Sequence, residues 1–312
     1  MGRATTAPQT RWERAGVEAR ITHRLARALA ADARHYQIAI LAALLAYAVG
    51  VLGAPIAPAT VLVAVTVALT TQAVATALLA RRAGATTTSA PAFDFRSPLI
   101  SALSLSLLLR TDTLVVVALG ALVAIAGKFL IRVRGKHLFN PTNLAIVVLL
   151  LAVPEHAWVS PGQWGESTVV AFALACAGGL VLHRSERADI TITFLVAWTV
   201  IVIGRGLWLG DPLAVGAHRL TSGALLIFAF FMISDPRSTP DSRAGRIVLA
   251  VLVALGAALV EYGLWRRNGL FLSLAACSML VPLIDRWLPG PRHHWRRPGP
   301  ASPLTADRSP DR

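Results

Sequence analysis

Long apolar segments separated by short polar loops dominate this sequence. Ten such segments lie near residues 37–54, 58–80, 98–110, 113–131, 142–154, 167–182, 190–207, 220–234, 246–264 and 269–288. Several of them approach the roughly 20 residues that an α-helix needs to cross the hydrocarbon core of a bilayer. Only 15% of the 312 residues are charged, whereas a soluble domain carries about 25%. The sequence therefore predicts an all-α, polytopic membrane protein with about ten transmembrane helices.

The basic residues indicate on which side of the membrane each loop lies. The net charge is +14, and the Arg and Lys residues gather at both ends of the chain and in alternate loops. Because cytoplasmic loops are rich in Lys and Arg, we expect a multi-pass protein of the cytoplasmic (inner) membrane with both termini in the cytoplasm. This distribution argues against nucleic acid as a partner and leaves the lipid bilayer as the expected one.

Three regions follow from this pattern: a basic cytoplasmic N-terminal segment (1–35), a membrane domain (36–288) and a disordered basic C-terminal tail (289–312). Two halves of the membrane domain, about 36–155 and 160–288, share a spacing. Pro154 follows Asn140 fourteen residues later (154 − 140), and Pro282 follows Asn268 fourteen residues later (282 − 268). An offset of five segments, an odd number, inverts the second half. We therefore predict two inverted five-helix repeats with short broken helices and a binding site between them.

Polar residues stand at the starts of the short segments. Asn140 is a good N-cap and Pro141 a good first helical residue. We expect Asn268-Gly269 and Ser97-Pro98 to begin their helices in a similar way. A helix that begins inside the protein presents unpaired N–H groups and a positive dipole end, which suit a phosphate or a carboxylate. The alternative is a short helix that simply begins at the inner surface.

Ionisable side chains in or beside the apolar segments are candidates for function, because inserting a charge into a membrane costs free energy. Lys128 could pair with a ligand phosphate or extend its ammonium to the membrane surface. Asp112 and Asp235 end equivalent segments of the two halves and could bind an ion or a proton, or only cap neighbouring helices. Glu166 adjoins residues with N-cap chemistry. The two cysteines are isolated, so the sequence predicts no disulfide framework and no metal site.

Four blocks, taken in order, resemble the NqrB/RnfD family of membrane electron-transport subunits over roughly residues 95–290. They are Gly127-Lys128 with Phe139-Asn140-Pro141, Gly162 to Thr168, Phe231 to Pro236, and Pro282 to Asp285. The resemblance implies a membrane subunit of an ion-translocating redox complex, with soluble or membrane-bound redox proteins as partners. Combined with the residue patterns, it gives these candidate cofactor-binding residues: Lys128, Asn140, Gly165, Glu166, Ser167, Thr168 and Asn268.

The stretches "HLFNPTN", "WVSPGQWG" and "FFMISDPRSTPDSRAGR" resemble in particular the stand-alone UnbU branch, which is associated with enediyne biosynthesis. In NqrB and RnfD, a flavin phosphate is attached covalently to a Thr in a "(S/T)-G-A-T"-like segment. Residues 142–161 of this chain, which occupy the corresponding place, contain no such motif. The resemblance therefore implies a non-covalent cofactor, either a flavin (FMN or riboflavin) or a quinone-like molecule.

Two functions remain open on the sequence. The first is membrane electron transfer with this non-covalent cofactor. The second is a cofactor-free inverted-repeat transporter or channel for a small molecule, a natural product or an ion. The sequence contains no Walker, GxSxG or HExxH motif, so a hydrolase or an ATPase has no support.

Overall fold

The computed structural model describes residues 32–82, 93–159 and 187–292, which are mostly helical. The helices are α1 (Ala33–Gly50), α2 (Pro58–Arg82), α3 (Arg96–Leu108), α4 (Leu114–Leu130), α5 (Pro141–Ala152), α6 (Ala188–Leu209), α7 (Leu213–Leu220), α8 (Gly223–Ile227), α9 (Arg243–Ala258), α10 (Gly269–Ser278) and α11 (Val281–Trp287). Helices α8 and α9 continue as π-helical turns, Phe228–Met232 and Leu259–Gly263.

Every predicted apolar segment that falls on described residues contains at least one helix. The predicted segment 167–182 lies outside the described residues. Among the described helices, α2, α6 and α9 with its π-turn are long and apolar enough to cross a membrane. Two bent pairs, α7 with α8 at 48° and α10 with α11 at 52°, raise the number to five if each pair is one span. The chain is therefore helical and apolar as predicted, and the count of ten spans stays a prediction.

Two short pairs of antiparallel strands depart from the predicted all-α fold. Strand β1 (Leu109–Thr111) pairs with β4 (Ala157–Val159), and β2 (Arg132–Val133) pairs with β3 (Lys136–His137). The β2–β3 turn places Arg134 and Gly135 at positive φ, 52° and 81°, a conformation that glycine adopts at little cost. The strand pairs give the backbone N–H and C=O groups of these connecting segments hydrogen-bond partners. The pattern of apolar residues does not predict them.

The β2–β3 hairpin is anchored to the C-terminal helices by an ion pair. Lys136 Nζ lies 2.8 Å from Asp285 Oδ2 and 3.0 Å from Asp241 Oδ1. The backbone N–H of Asp241 donates to Asp285 Oδ1 at 2.8 Å. Asp285, which belongs to the last sequence block, therefore holds the hairpin in place.

Helix α2 buries its small and polar side chains and exposes its large apolar ones. Ala64, Ala68, Gln72 and Thr76 recur every four residues along the buried face, whereas Leu62 is 68% exposed. An exposed apolar face suits lipid, and a stripe of small residues allows helices to pack closely within a membrane. The arrangement supports a membrane-embedded fold.

The described helices pack in a corresponding order in the two halves. Helix α2 packs on α4 and α4 on α5, and in the second half α6 packs on α9 and α9 on α10. The two series meet where Asn143 Nδ2, in the first turn of α5, donates to the carbonyl oxygen of Phe271, in the first turn of α10, at 3.1 Å. This order is what an offset of five segments requires. The inverted repeat itself remains a prediction.

Candidate functional site

A cavity of about 350 Å³ lies between helices α1 to α5 and the π-helical turn after α8. Each of the five N-terminal helices contributes lining residues, and residues 230, 231 and 234–237 close the opposite side. Small-molecule sites commonly enclose roughly 300–1,000 Å³. The cavity is therefore large enough to hold a ligand.

Basic side chains outnumber acidic ones around the cavity. Among the described residues, the lining contains four cationic side chains, Arg34, Lys128, Arg132 and Arg237, and two carboxylates, Asp94 and Asp235. A concave site with an excess of positive charge attracts anions. The lining therefore favours a ligand that carries a phosphate or a carboxylate.

Lys128 is the most deeply buried of these cations, with 6% of its surface exposed. Its Nζ donates to Ser97 Oγ at 3.1 Å, and no carboxylate among the described residues lies within 4.0 Å of it. A buried ammonium without a counter-ion is costly unless something else neutralises it. The predicted alternative, an ammonium extended to the membrane surface, does not fit this burial.

Asn140 is the N-cap of α5, as the sequence predicts. Its Oδ1 accepts from the backbone N–H of Asn143 at 3.0 Å. Its Nδ2 lies 3.4 Å from the carbonyl oxygen of Met232 and 3.4 Å from Asp235 Oδ2. The cap therefore joins α5 to the second half of the chain and holds Asp235 beside the cavity.

His137 also lines the cavity, although the sequence gives no reason to choose it over the other histidines. Its Nδ1 lies 2.8 Å from the carbonyl oxygen of Lys128 and so must carry the proton, while Arg237 Nη1 lies 3.4 Å from Nε2. Burial and the nearby guanidinium groups together lower the pKa of this imidazole to about 4, although Asp235 opposes the shift. His137 is therefore neutral at pH 7.

Four alternating charges form a ring at the side of the cavity where α1 and α3 begin. Arg34 contacts Asp32 and Asp94 at 2.7 and 2.6 Å, and Arg96 contacts the same two carboxylates at 2.6 and 2.8 Å. Partial burial opposes ionisation of Asp94, but hydrogen bonds from Arg96 and the two guanidinium charges lower its pKa to about 2. The ring ties the start of α1 to the start of α3.

The start of α3 differs from the prediction. Its N-cap position is Phe95, which makes no side-chain cap bond. Asp94 instead accepts from the backbone N–H of Arg96 at 3.0 Å. The expected Ser97-Pro98 start is therefore wrong: the helix begins two residues earlier, beside the ion-pair ring.

The cavity wall also contains aromatic and amide side chains. Phe129, Phe230 and Phe231 line it, together with Gln37 and Gln72. Aromatic rings offer flat apolar surfaces on which a planar ligand can stack. The cavity therefore combines a cationic region with an aromatic one.

Asn268 does not join the cavity lining. It adopts a left-handed conformation, with φ at 65°, and makes no side-chain cap bond. The side chain of Glu261 lies beside Gly269, the first residue of the helix. The expected cap by Asn268 is therefore wrong, because its left-handed backbone replaces the extended conformation of a side-chain cap.

Of the two predicted ion-binding aspartates, one lies at the cavity and the other does not. Asp235 borders the cavity, whereas Asp112 lies outside its lining. The Asp112 side chain is 50% exposed and pairs with His156 Nδ1 at 2.8 Å. Gly165, Glu166, Ser167 and Thr168 lie outside the described residues.

The second part of the chain is similar to proteins of a known family. Residues 159–292 match the NQR2, RnfD, RnfE family. A subunit of the ion-translocating oxidoreductase complex from an Escherichia coli O139:H28 strain is 27% identical over 143 residues, which are 46% of this chain and 36% of that protein. The protein of the same name from Citrobacter koseri is 27% identical over 129 residues, 41% of this chain and 33% of that protein.

These alignments leave part of each protein unmatched. The matched stretch spans about a third of the curated relatives. The family match includes Asp235 and the aromatic wall at Phe230 and Phe231, while Lys128 and Asn140 precede it. Residues 159–292 thus carry the resemblance to the NQR2, RnfD, RnfE family.

Proposed function

We propose that this chain is a membrane electron-transfer subunit whose cavity binds a non-covalent, phosphate-bearing flavin or a quinone-like cofactor. The observation that carries the proposal is Lys128, a buried ammonium that borders the cavity and lacks a carboxylate partner among the described residues. An anionic group of a cofactor supplies the missing counter-charge. The family similarity supports the redox class, because relatives carry the name of an ion-translocating oxidoreductase subunit.

The other lining residues fit the same cofactor. Phe129, Phe230 and Phe231 offer surfaces for a planar ring system. The first turn of α5 adds a positive dipole end beside Lys128, which favours a phosphate. A bound flavin supplies the electron transfer, while the chain holds it, excludes water and sets the surrounding charge.

Partners and biological context extend the proposal. The curated relatives are named as subunits of a complex, so we propose that soluble or membrane-bound redox proteins deliver and remove the electrons. The UnbU resemblance adds a role in enediyne natural-product biosynthesis. Deletion of the gene in a producing strain then stops or lowers product formation, and an undiminished yield contradicts this role. Asp235 remains the proposed ion or proton site, because it lies within the same cavity.

The direct test is a fluorescence titration of the detergent-solubilised full-length chain with FMN, riboflavin and a water-soluble naphthoquinone. We expect FMN to bind more tightly than riboflavin, since only FMN carries the phosphate. Lys128→Met weakens FMN binding, and Arg243→Met, an exposed residue that does not line the cavity, leaves it unchanged. Absence of binding by all three molecules contradicts the proposal.

A transporter without a cofactor is the second candidate. Two bent helix pairs, at 48° and 52°, favour it, because broken helices line the sites of many transporters. Ion or solute flux in proteoliposomes from protein that binds no flavin and no quinone supports this alternative. FMN binding without ion or solute flux argues for the redox function.

A further inference from the structure

Within the described part of the chain, three cations of the cavity lining lie together around the backbone carbonyl oxygen of Lys128. This oxygen accepts from Arg132 Nε at 2.7 Å and from His137 Nδ1 at 2.8 Å. His137 Nε2 in turn accepts from Arg237 Nη1 at 3.4 Å. The side-chain charges of Lys128 and Arg132 also lie 5.2 and 5.3 Å from the centre of the Phe129 ring. Lys128, Arg132 and Arg237 therefore form one group, which we call the cation cluster.

The two guanidinium groups of the cation cluster keep free donors. Arg132 uses Nε and Arg237 uses Nη1 in the bonds that hold them. No carboxylate of residues 32–82, 93–159 and 187–292 lies within 4.0 Å of either side chain. Both arginines are exposed and line the cavity, so a ligand can reach them. Their remaining N–H groups are therefore available to acceptor atoms of a ligand.

The two carboxylates of the described lining already have hydrogen-bond partners. Asp94 belongs to the ring of alternating charges. Asp235 accepts from the backbone N–H of Arg237 at 3.0 Å and from Ser238 Oγ at 3.2 Å. His137 is neutral at pH 7, so the four cations and two carboxylates of the described lining leave an excess of two positive charges. A ligand with two negative charges neutralises this excess.

We propose that the cation cluster selects the dianion of a phosphate monoester, so that the cavity takes FMN in preference to a flavin whose phosphate is a diester. This inference rests on the proposed function. A phosphate monoester carries close to two negative charges above pH 7 and three strong acceptor oxygens. These oxygens accept charge-assisted hydrogen bonds from Lys128, Arg132 and Arg237. A diester carries a single negative charge, so one positive charge of the cavity stays without a counter-charge.

The test compares FMN with riboflavin 4′,5′-cyclic phosphate, in which the phosphate is a singly charged diester. Both are titrated by fluorescence against the detergent-solubilised full-length chain. At pH 7.5 we expect FMN to bind at least about 10-fold more tightly than the cyclic ester. At pH 5 the affinity for FMN falls towards that for the cyclic ester, because the second pKa of a phosphate monoester is about 6. The affinity for the cyclic ester changes little, since His137, with a pKa of about 4, stays largely neutral.

Arg237→Gln measures the contribution of the cation cluster to this preference. Glutamine keeps the backbone N–H that binds Asp235 and removes the guanidinium. We expect the affinity for FMN to fall about 10- to 100-fold and the affinity for the cyclic ester to fall less. Arg243→Gln, at an exposed position outside the cavity lining, is the matched control and keeps both affinities. If Arg237→Gln does not fold, Arg132→Gln takes its place with the same expected result.

The outcomes separate this inference from the proposed function. Equal affinities for FMN and the cyclic ester in the wild-type chain overturn the selectivity and leave the redox proposal intact. A preference for FMN that the arginine substitution does not change also overturns the role of the cation cluster. Binding of a naphthoquinone without binding of either flavin overturns the inference and leaves the quinone form of the proposed function. Absence of binding by all three molecules overturns both.

Discussion

Replacing Lys128 with Met separates the effect of the buried charge on the stability of the ligand-free protein from its effect on ligand binding. Lys128→Met keeps an unbranched, flexible side chain and removes the ammonium, which is 6% exposed and has Ser97 as its described hydrogen-bond partner. Insertion scales put a charge at the centre of a transmembrane helix at about 2.5–3.5 kcal/mol. Lys128 lies in the last turn of α4, so we expect a gain of about 1–2 kcal/mol in the unfolding free energy of the ligand-free protein.

The same substitution has the opposite effect on ligand binding. A hydrogen bond to a charged group contributes about 1.5–3 kcal/mol, which corresponds to a loss of about 10- to 150-fold in FMN affinity. On the stability side, 1 kcal/mol shifts Tm by about 2–4 °C in domains of 150–250 residues. Ligand-free Lys128→Met should therefore melt a few degrees above the wild-type chain and respond less to added FMN.

The assay is thermal unfolding in detergent with and without FMN, combined with the fluorescence titration. Arg243→Met is the matched control, since it removes a charge from an exposed position outside the cavity lining. We expect the control to change neither the melting temperature nor the affinity appreciably. A lower melting temperature for ligand-free Lys128→Met, together with unchanged FMN affinity, refutes the reasoning and makes Lys128 a structural residue.

Three further predictions concern the scaffold. Gly269→Ala should lower the melting temperature, because the new Cβ meets the backbone oxygen of Ala257 at 2.6 Å. Gly127→Ala should lower it less, because its Cβ meets only the end of a leucine side chain. Equal decreases in the two variants contradict this prediction. Since burial lowers the pKa of His137 to about 4, the unfolded chain binds more protons between about pH 6.5 and 4. Stability should fall as the pH drops through that window, and pH-dependent melting of His137→Gln should show a weaker fall; an identical pH profile contradicts the assignment. Asp94→Asn should lower the free energy of unfolding by roughly 1 kcal/mol. Because the pKa of Asp94 is about 2, its carboxylate is charged at both pH 5 and pH 9, so chemical denaturation should give the same difference between the two chains at both pH values. A difference that vanishes at pH 5 contradicts this prediction.

Local chemistry explains what the sequence could predict. The apolar segments predict helices because their length and composition do not depend on distant residues. The Asn140-Pro141 start of α5 is predictable for the same reason, since a cap bonds to an N–H three residues away. Asn268 shows the limit of that reasoning. Its left-handed backbone follows a loop whose path the sequence does not reveal, and its side chain makes no cap bond.

The cavity depends on long-range packing and is harder to predict. Gln72 could have been noticed as a polar residue in a stripe with Ala64, Ala68 and Thr76, one every four residues. His137 offered no such signal, because its burial depends on the β2–β3 hairpin and on a loop one hundred residues away. Long-range contacts of this kind leave no local pattern in a single sequence.

A non-covalent redox cofactor in the cavity is the central claim. The most direct measurement is the absorption and fluorescence spectrum of full-length protein purified gently from its native membrane, repeated after denaturation and gel electrophoresis. We expect a flavin spectrum that leaves the protein on denaturation. A flavin that stays on the gel band contradicts the non-covalent assignment. A folded sample that contains neither flavin nor quinone, and that binds neither when they are added, contradicts the redox function.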